Sequence, residues 1–467
     1  MTYSLRSDSS LPLLQPALAW LPILGLIALC ALCVAGNLGS LLNLLFPAGA
    51  FAVSIFLYWR YPLVYVSFTW WLWFLSAWVR RLADFRGAGW TDPSPILLAP
   101  FLATLVSAVT FWRCLRYPNT GLPFLLCAAS VVYAFLVGAV LNSPQSAVLS
   151  LIGWLGPIFF GFHLFTNWRD YPYYRQVLQR TFLWGVLVMG GYGIAQYLVA
   201  PDWDRVWMTN ALIHNGLNII GDPEPLGIRV FSTLNSPQPF AGMMTAGLLL
   251  LLSMPSKLQP LAAGLGLVAH LLSLARSAWV SLIVGLFVLV PSLKSSLQIR
   301  LFSSLLILIL IIVPITQVEP FSSTILPRIQ GLTSPSEDVS ANARIEGYER
   351  LLGEAMSSIP GKGLGFVFVD DSIGSEDSGI LTLWFTLGWL GVLPYLLGMG
   401  LLFFSLFQTS ASQFDLFSSA ARAIAVSTFA QVGFNIITEG HLAMVLWSFL
   451  GIGMAARQYH TSQQQTP

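Results

Sequence analysis

The run from Gln259 to Pro291 constrains this chain more than any other stretch, because its 33 residues are largely apolar around one polar patch, Ser273–Ser277. As a single helix rising about 1.5 Å per residue it would measure roughly 50 Å, against a hydrocarbon core about 30 Å thick. It must turn back, and the polar patch is the place to do so. Comparable apolar segments recur at about 17–35, 39–58, 61–78, 96–112, 122–141, 146–165 and 179–199, then at 239–254, 301–317, 384–407, 417–437 and 441–456. With only 9% charged and 56% hydrophobic residues, the chain cannot cover a water-soluble globule. The expected class is an all-α polytopic membrane protein with about 12 to 14 transmembrane helices. No cleavage-site pattern follows the first apolar run, which reads as a retained span.

Orientation follows from a recurring boundary. Trp59-Arg60, Trp112-Arg113 and Trp168-Arg169 each end a span, and each is soon followed by Tyr-Pro. Interfacial tryptophan beside arginine marks a cytoplasmic edge. Lys257, Lys294, Arg300 and Arg457 fall on the same side, so both termini are expected in the cytoplasm. With this topology the inner side carries 12 basic and 3 acidic residues, the outer side 10 and 17. The chain then divides into an N-terminal bundle (1–200), a first large outer loop (201–238), spans around an outer arginine turn (239–317), a second large outer loop (318–379), C-terminal spans (380–457) and a cytoplasmic tail (458–467).

The second large loop holds an expected amphipathic helix over 341–359. Ile345, Tyr348, Leu351, Leu352, Ala355, Met356 and Ile359 recur at helical spacing, and Glu346, Glu349, Arg350 and Glu354 take the other face. Pro360, Gly361 and Gly363 stop it. Lys362 in this P-G-K-G has no earlier glycine, no following Ser or Thr and no preceding strand, so a nucleotide loop is rejected, although the lysine could face a sugar phosphate.

Three arginines stand on the outer side close to apolar segments: Arg229 before a span, Arg276 in the polar turn, and Arg344 at the head of the amphipathic helix, on one face with Tyr348, Leu351 and Ala355. Burying arginine near hydrocarbon costs roughly 2.5–3.5 kcal/mol on insertion scales, so each needs a partner or a task. One alternative for any one of them is snorkelling to headgroups. The chemistry that suits the set is diphosphate binding, because guanidinium offers paired planar donors and keeps its charge. Arg80 and Arg81 follow the Trp70–Trp78 aromatic cluster and are further candidates for holding such a diphosphate or its glycan; interface anchoring is the alternative for the aromatic rings. A net charge of +2 gives no reason to expect nucleic acid. Cys30, Cys33, Cys114 and Cys127 lie in or beside apolar runs and read as small packed residues.

The arginine before a span (Arg229), the S-x-A-R-S-A-W turn (Arg276) and the arginine-led helix running into P-G-K-G-L-G (Arg344 to Gly365) are followed by an acidic Ser-Gly patch and G-W-L-G. In this combination the C-terminal half resembles the O-antigen ligase and O-antigen polymerase superfamily of bacterial membrane glycosyltransferases. The resemblance implies transfer of glycan from a polyprenyl-diphosphate-linked oligosaccharide at the periplasmic face of the bacterial inner membrane, without metal or other cofactor, with Arg229, Arg276 and Arg344 on the donor diphosphate. It also leaves room for a polysaccharide export or chain-length partner. Ligases of this group usually place a histidine near the acidic patch, where this chain has Glu376-Asp377-Ser378-Gly379. Glu376 and Asp377 are therefore the candidate general bases, with a solvated acidic loop as the alternative for these and for Asp370 and Asp371. His214 and His441, the latter beside Glu439, are the histidines that could substitute; a surface residue and an interfacial cap are their plainer readings. No histidine pair has metal-ligand spacing. Polymerase and ligase both stay open. A transporter of an inorganic anion such as bicarbonate is the alternative from another class, although it would need ionisable groups near mid-bilayer and the spans carry almost none. A silent structural member of an export complex would not need the arginines.

Overall fold

The computed structural model describes residues 16–114, 121–215, 220–296, 298–299, 339–367, 378–408 and 415–465. In chain order the helices are α1 (Ala17–Ala35), α2 (Gly39–Arg60), α3 (Pro62–Ala83), α4 (Leu98–Leu105), α5 (Ala108–Cys114), α6 (Leu122–Leu141), α7 (Pro144–Thr166) and α8 (Tyr171–Val199). There follow α9 (Asp202–Asn215), α10 (Pro237–Leu251), α11 (Gln259–Leu272), α12 (Arg276–Leu289), α13 (Val339–Ser357), α14 (Gly379–Phe407), α15 (Leu416–Phe429) and α16 (Gly440–Gln465). Among the described residues there is no strand, only an isolated bridge between Gly221 and Ile228. The protein is all-α and polytopic. Eight helical stretches among the described residues are long and apolar enough to cross a membrane: α1, α2, α3 with its extension to Ala88, α4 with α5, α6, α7, α8 and α14.

Several of these helices begin with proline in the first turn, including Pro62, Pro123, Pro144, Pro172, Pro237 and Pro260. Proline suits that place because its missing N–H would be unpaired there anyway. The Tyr-Pro that follows Trp-Arg thus starts α3 and α8. The expected hairpin exists, with α11 and α12 reversing at Ser273–Ala275, but each arm has only 14 helical residues. That is roughly 21 Å, short of a full crossing by helix alone. The segment expected over 96–112 is likewise broken, into α4 and α5, and the one expected over 417–437 is α-helical only to Phe429. The span expected over 301–317 lies outside the described residues.

The bundle is organised around α16, in which every residue from Leu442 to Gly453 is buried. It crosses α7 where Gly161 meets Gly451: a Cβ on Gly451 would fall on the carbonyl oxygen of Gly161, and one on Gly161 would fall on that of Trp447. Small residues let two backbones touch, the usual basis of close packing between helices in lipid. Beside this crossing Trp70, Phe74, Phe182 and Phe449 form an aromatic core.

Helix α14 breaks at Gly388, whose φ of 56° and ψ of −173° leave helical space. The Pro360–Gly365 segment fills the break. The N–H of Lys362 donates to the Phe385 carbonyl (2.6 Å) and that of Gly363 to Thr386 (3.1 Å), while the N–H of Leu364 reaches Ala134 of α6 (2.9 Å). Gly363, with φ of 76°, lies against the backbone of Gly138, where no side chain would fit.

Contacts sort the loops to two ends. At one end Tyr171, Arg175 and His460 gather on Asp415, and Gln179 reaches the carbonyl of Ser253. At the other lie the arginine-bearing segments described below. Loops that the sequence put on one side are therefore bonded to one another. The two-backbone crossing yields a test: Gly451→Ala should destabilise the protein by about 1–3 kcal/mol, lowering its melting temperature in detergent. Gly400→Ala, where a Cβ meets nothing within 4 Å, should leave it unchanged.

Candidate functional site

Arg229 lies in a non-helical segment, Ile228–Leu234, whose Ile228, Val230, Phe231, Ser232, Thr233 and Leu234 are all buried. Its backbone polar groups find partners on helices: Val230 N–H donates to Leu272 (3.0 Å), and the N–H groups of Phe231 and Ser232 donate to the Gln196 side-chain oxygen (3.1 and 2.8 Å). The Ser232 hydroxyl donates to the Met189 carbonyl (2.6 Å). Held this way, Arg229 donates from Nη2 to the Leu274 carbonyl (3.3 Å), in the turn that carries Arg276.

Arg276 is the first residue of α12 and is half-buried. A helix N-terminus adds positive potential beside its guanidinium. The next residue, Ser277, accepts from Asn435 Nδ2 (3.1 Å), and Asn435 also donates to Gln431 Oε1 (3.0 Å), which in turn reaches Ser281 (3.0 Å). These bonds tie α12 to the irregular segment 430–439 between α15 and α16. That segment presses on the start of α14: a Cβ on Gly379 would lie 2.6 Å from the Asn435 carbonyl oxygen.

The amphipathic helix arrives at the same place. The expected 341–359 appears as α13, and its Tyr348–Leu351–Ala355 face is the one that docks: Leu351 and Ala355 are buried against Leu381 and Phe385. Tyr348 O–H bonds to Ser378 Oγ and to the Gly433 carbonyl (3.2 Å). Ser378 caps α14 by accepting from the Leu381 N–H (3.2 Å). Arg344 sits one turn before Tyr348 on α13; its side chain is outside the description, as are Glu376 and Asp377, which directly precede Ser378 in sequence, and Asp370 and Asp371. A continuous path of contacts thus runs from Arg229 through Leu274, Ser277, Asn435 and Gly433 to Tyr348 and Ser378.

Arg80 and Arg81 are placed differently from the expectation that they hold a diphosphate. Arg81 is fully buried, its Nη1 2.9 Å from Asp204 Oδ1, its Nη2 on the Ser232 carbonyl, and its plane over the Phe231 ring at 4.8 Å. Asp204 also accepts from Tyr192 and Gln196, each at 2.8 Å. Arg80, 4% exposed, donates to the Thr91 carbonyl (2.7 Å), pairs with Asp84 (3.4 Å) and covers Trp90. These two guanidiniums hold protein, and Arg81 in particular braces the segment that presents Arg229.

The remaining candidates are spread out. His214 is exposed, stacks on Trp90 at 5.4 Å and bonds to the Asn210 carbonyl (2.9 Å). His441 packs edge-on against Trp73, with ring centroids 4.9 Å apart. Glu439 lies against Gly153; burial pushes its carboxyl up, a shift opposed by a hydrogen bond from Trp154. Lys362 pairs with Glu354 (2.7 Å) and lies over Phe366 and Phe385.

Sequence reasoning missed Asp204, Gln196 and Asn435. Gln196 was signalled, being a polar residue inside a long apolar helix. So was α9: Asp202 and Asp204 occupy its first turn, and Trp207, Met208 and Ala211 recur on one buried face. No protein-family model matches the chain, and no curated protein matches it.

The buried pair carries its own test. Asp204→Asn or Arg81→Met alone, each leaving one polar partner stranded, should destabilise by about 3–5 kcal/mol, read as loss of folded protein on size exclusion. Arg81→Met with Asp204→Leu should recover part of that loss.

Proposed function

We propose that this protein transfers glycan from a polyprenyl-diphosphate-linked donor, at the end of the bundle that carries Arg229 and Arg276, as a polymerase or ligase of O-antigen or exopolysaccharide. The observation that carries the reading is the bond from Arg229 to the Leu274 carbonyl, which ties the segment bearing Arg229 to the turn bearing Arg276, both arginines being half-buried. The N-terminus of α12 points the same electrostatic way.

In this reading the acceptor hydroxyl attacks the anomeric carbon, the bond from that carbon to the diphosphate oxygen breaks, and the diphosphate departs as an oxyanion. Arg229 and Arg276 neutralise the charge that grows on it. Arg344, one turn before the docked Tyr348, adds to the same diphosphate site. The acceptor proton passes to a carboxylate, Glu376 or Asp377. The donor lipid stays in the bilayer, and the face is the periplasmic side of a bacterial inner membrane.

One observation favours transport of an inorganic anion instead: the helices near this end are short, and the non-helical 228–234 segment between them is largely buried, as a broken element lining a translocation path would be. Purified protein with a synthetic polyprenyl-diphosphate oligosaccharide separates the two. A ladder of lengthening lipid-linked product means a polymerase, and transfer only to an added acceptor means a ligase. Arg229→Ala and Arg276→Ala should each lower turnover by about 10²–10³-fold, with the lysine replacements intermediate. No turnover with several donors, together with anion uptake into proteoliposomes, would overturn the enzyme reading.

A further inference from the structure

A cavity of about 740 Å³ lies between α1, α3 and α8, with lining that includes Ile23 and Ile27 of α1, Leu72 and Leu75 of α3, and Trp184 of α8. Apart from indole and thiol groups, its only polar lining side chains are Ser67, Thr181 and Arg180. Ser67 and Thr181 bond to each other at 2.8 Å, which leaves little to hold water. Buried water needs two to four polar partners, and an empty space this large would deprive its lining of dispersion contacts. The walls face lipid: only 17% of the apolar stretch of α1 is buried inside the protein. Hydrocarbon is the filling that the surroundings supply.

Arg180 identifies what the hydrocarbon is attached to. It is exposed and has no ion pair or hydrogen bond among the described residues. The preceding residue, Gln179, donates to the Ser253 carbonyl (3.1 Å), just beyond the end of α10 and close in sequence to Lys257. Arg180 therefore stands level with the loop at that end of the bundle. Trp20 and Trp184, 37% and 52% exposed, also line the cavity, and tryptophan prefers the headgroup boundary. A guanidinium beside an apolar groove at that depth matches a phosphodiester whose chains enter the groove. We propose that this groove binds one anionic phospholipid, its chains between α1 and α8 and its phosphate on Arg180. The site is at the opposite end from Arg229 and Arg276 and does not depend on what those residues do.

The test is native mass spectrometry of the full chain released from nanodiscs of mixed phosphatidylglycerol and phosphatidylcholine. Wild type should retain phosphatidylglycerol preferentially. Arg180→Gln should lose about fivefold of that preference, while Arg169→Gln, at an exposed arginine stacked on Trp168, should match wild type. Ile27→Trp, which fills the groove from a position 56% exposed, should lower retention of both lipids. Because all three altered positions are exposed, the variants should keep the wild-type melting temperature. Equal retention and equal preference in all four proteins would overturn the proposal. So would a dimer that Ile27→Trp dissociates, since that would give the groove to a second copy.

Discussion

Backbone amides and carbonyls in hydrocarbon must be paired within the protein, and this requirement shapes the end of the bundle that carries the arginines. Helices satisfy it automatically; breaks do not. Each break here is met by a specific donor or acceptor from elsewhere. The carbonyls of Phe385 and Thr386, released at Gly388, accept from Lys362 and Gly363. The amides of Phe231 and Ser232 donate to the single side-chain oxygen of Gln196. Asn142 donates to the carbonyls of Lys362 and Leu364 (2.8 and 3.0 Å). Non-helical backbone is thereby stabilised at a depth where it could present side chains that a continuous helix would not.

Charge is divided between holding the fold and facing outward. Arg81 and Asp204 are wholly buried, and the guanidinium also covers Phe231 and holds Ser232. Removing two charges from water carries a penalty of several kcal/mol per ion unless hydrogen bonds complete the pair. Tyr192 and Gln196 complete the Asp204 side. The pair fixes Ser232 three residues beyond Arg229, so one arginine positions the segment on which another is displayed. Arg229 and Arg276 are half-buried and lie beside the turn itself.

What local pattern encodes was legible. The 33-residue run turns back in its polar patch, the amphipathic helix forms within two residues of its expected ends, and its Tyr348 face is the docking face. What depends on distant partners was not. Arg81 looks from its neighbours like an interfacial arginine; its acceptor, Ser232, is 151 residues away. Pro360–Gly365 reads locally as a helix stop, and its second task, filling the break in α14, is visible only once Gly388 is beside it. The end of α15 at Phe429 was hidden for the same reason: Gln431 and Asn435 continue an apolar run, yet their amides donate to Ser281 and Ser277 of α12. Glu376 and Asp377, the bases expected from sequence, lie outside the described residues.

The contact of Gly161 with Gly451 has a mechanical consequence. Side chains can change rotamer and absorb a small displacement, but two backbones in contact cannot slide without separating entirely. Helices α7 and α16 therefore act as one stiff rib through the middle of the bundle. Any rearrangement that widens the arginine-bearing end has to bend on either side of that rib, at the Gly388 break in α14 and in the irregular 430–439 stretch, which flank Tyr348 and Ser277.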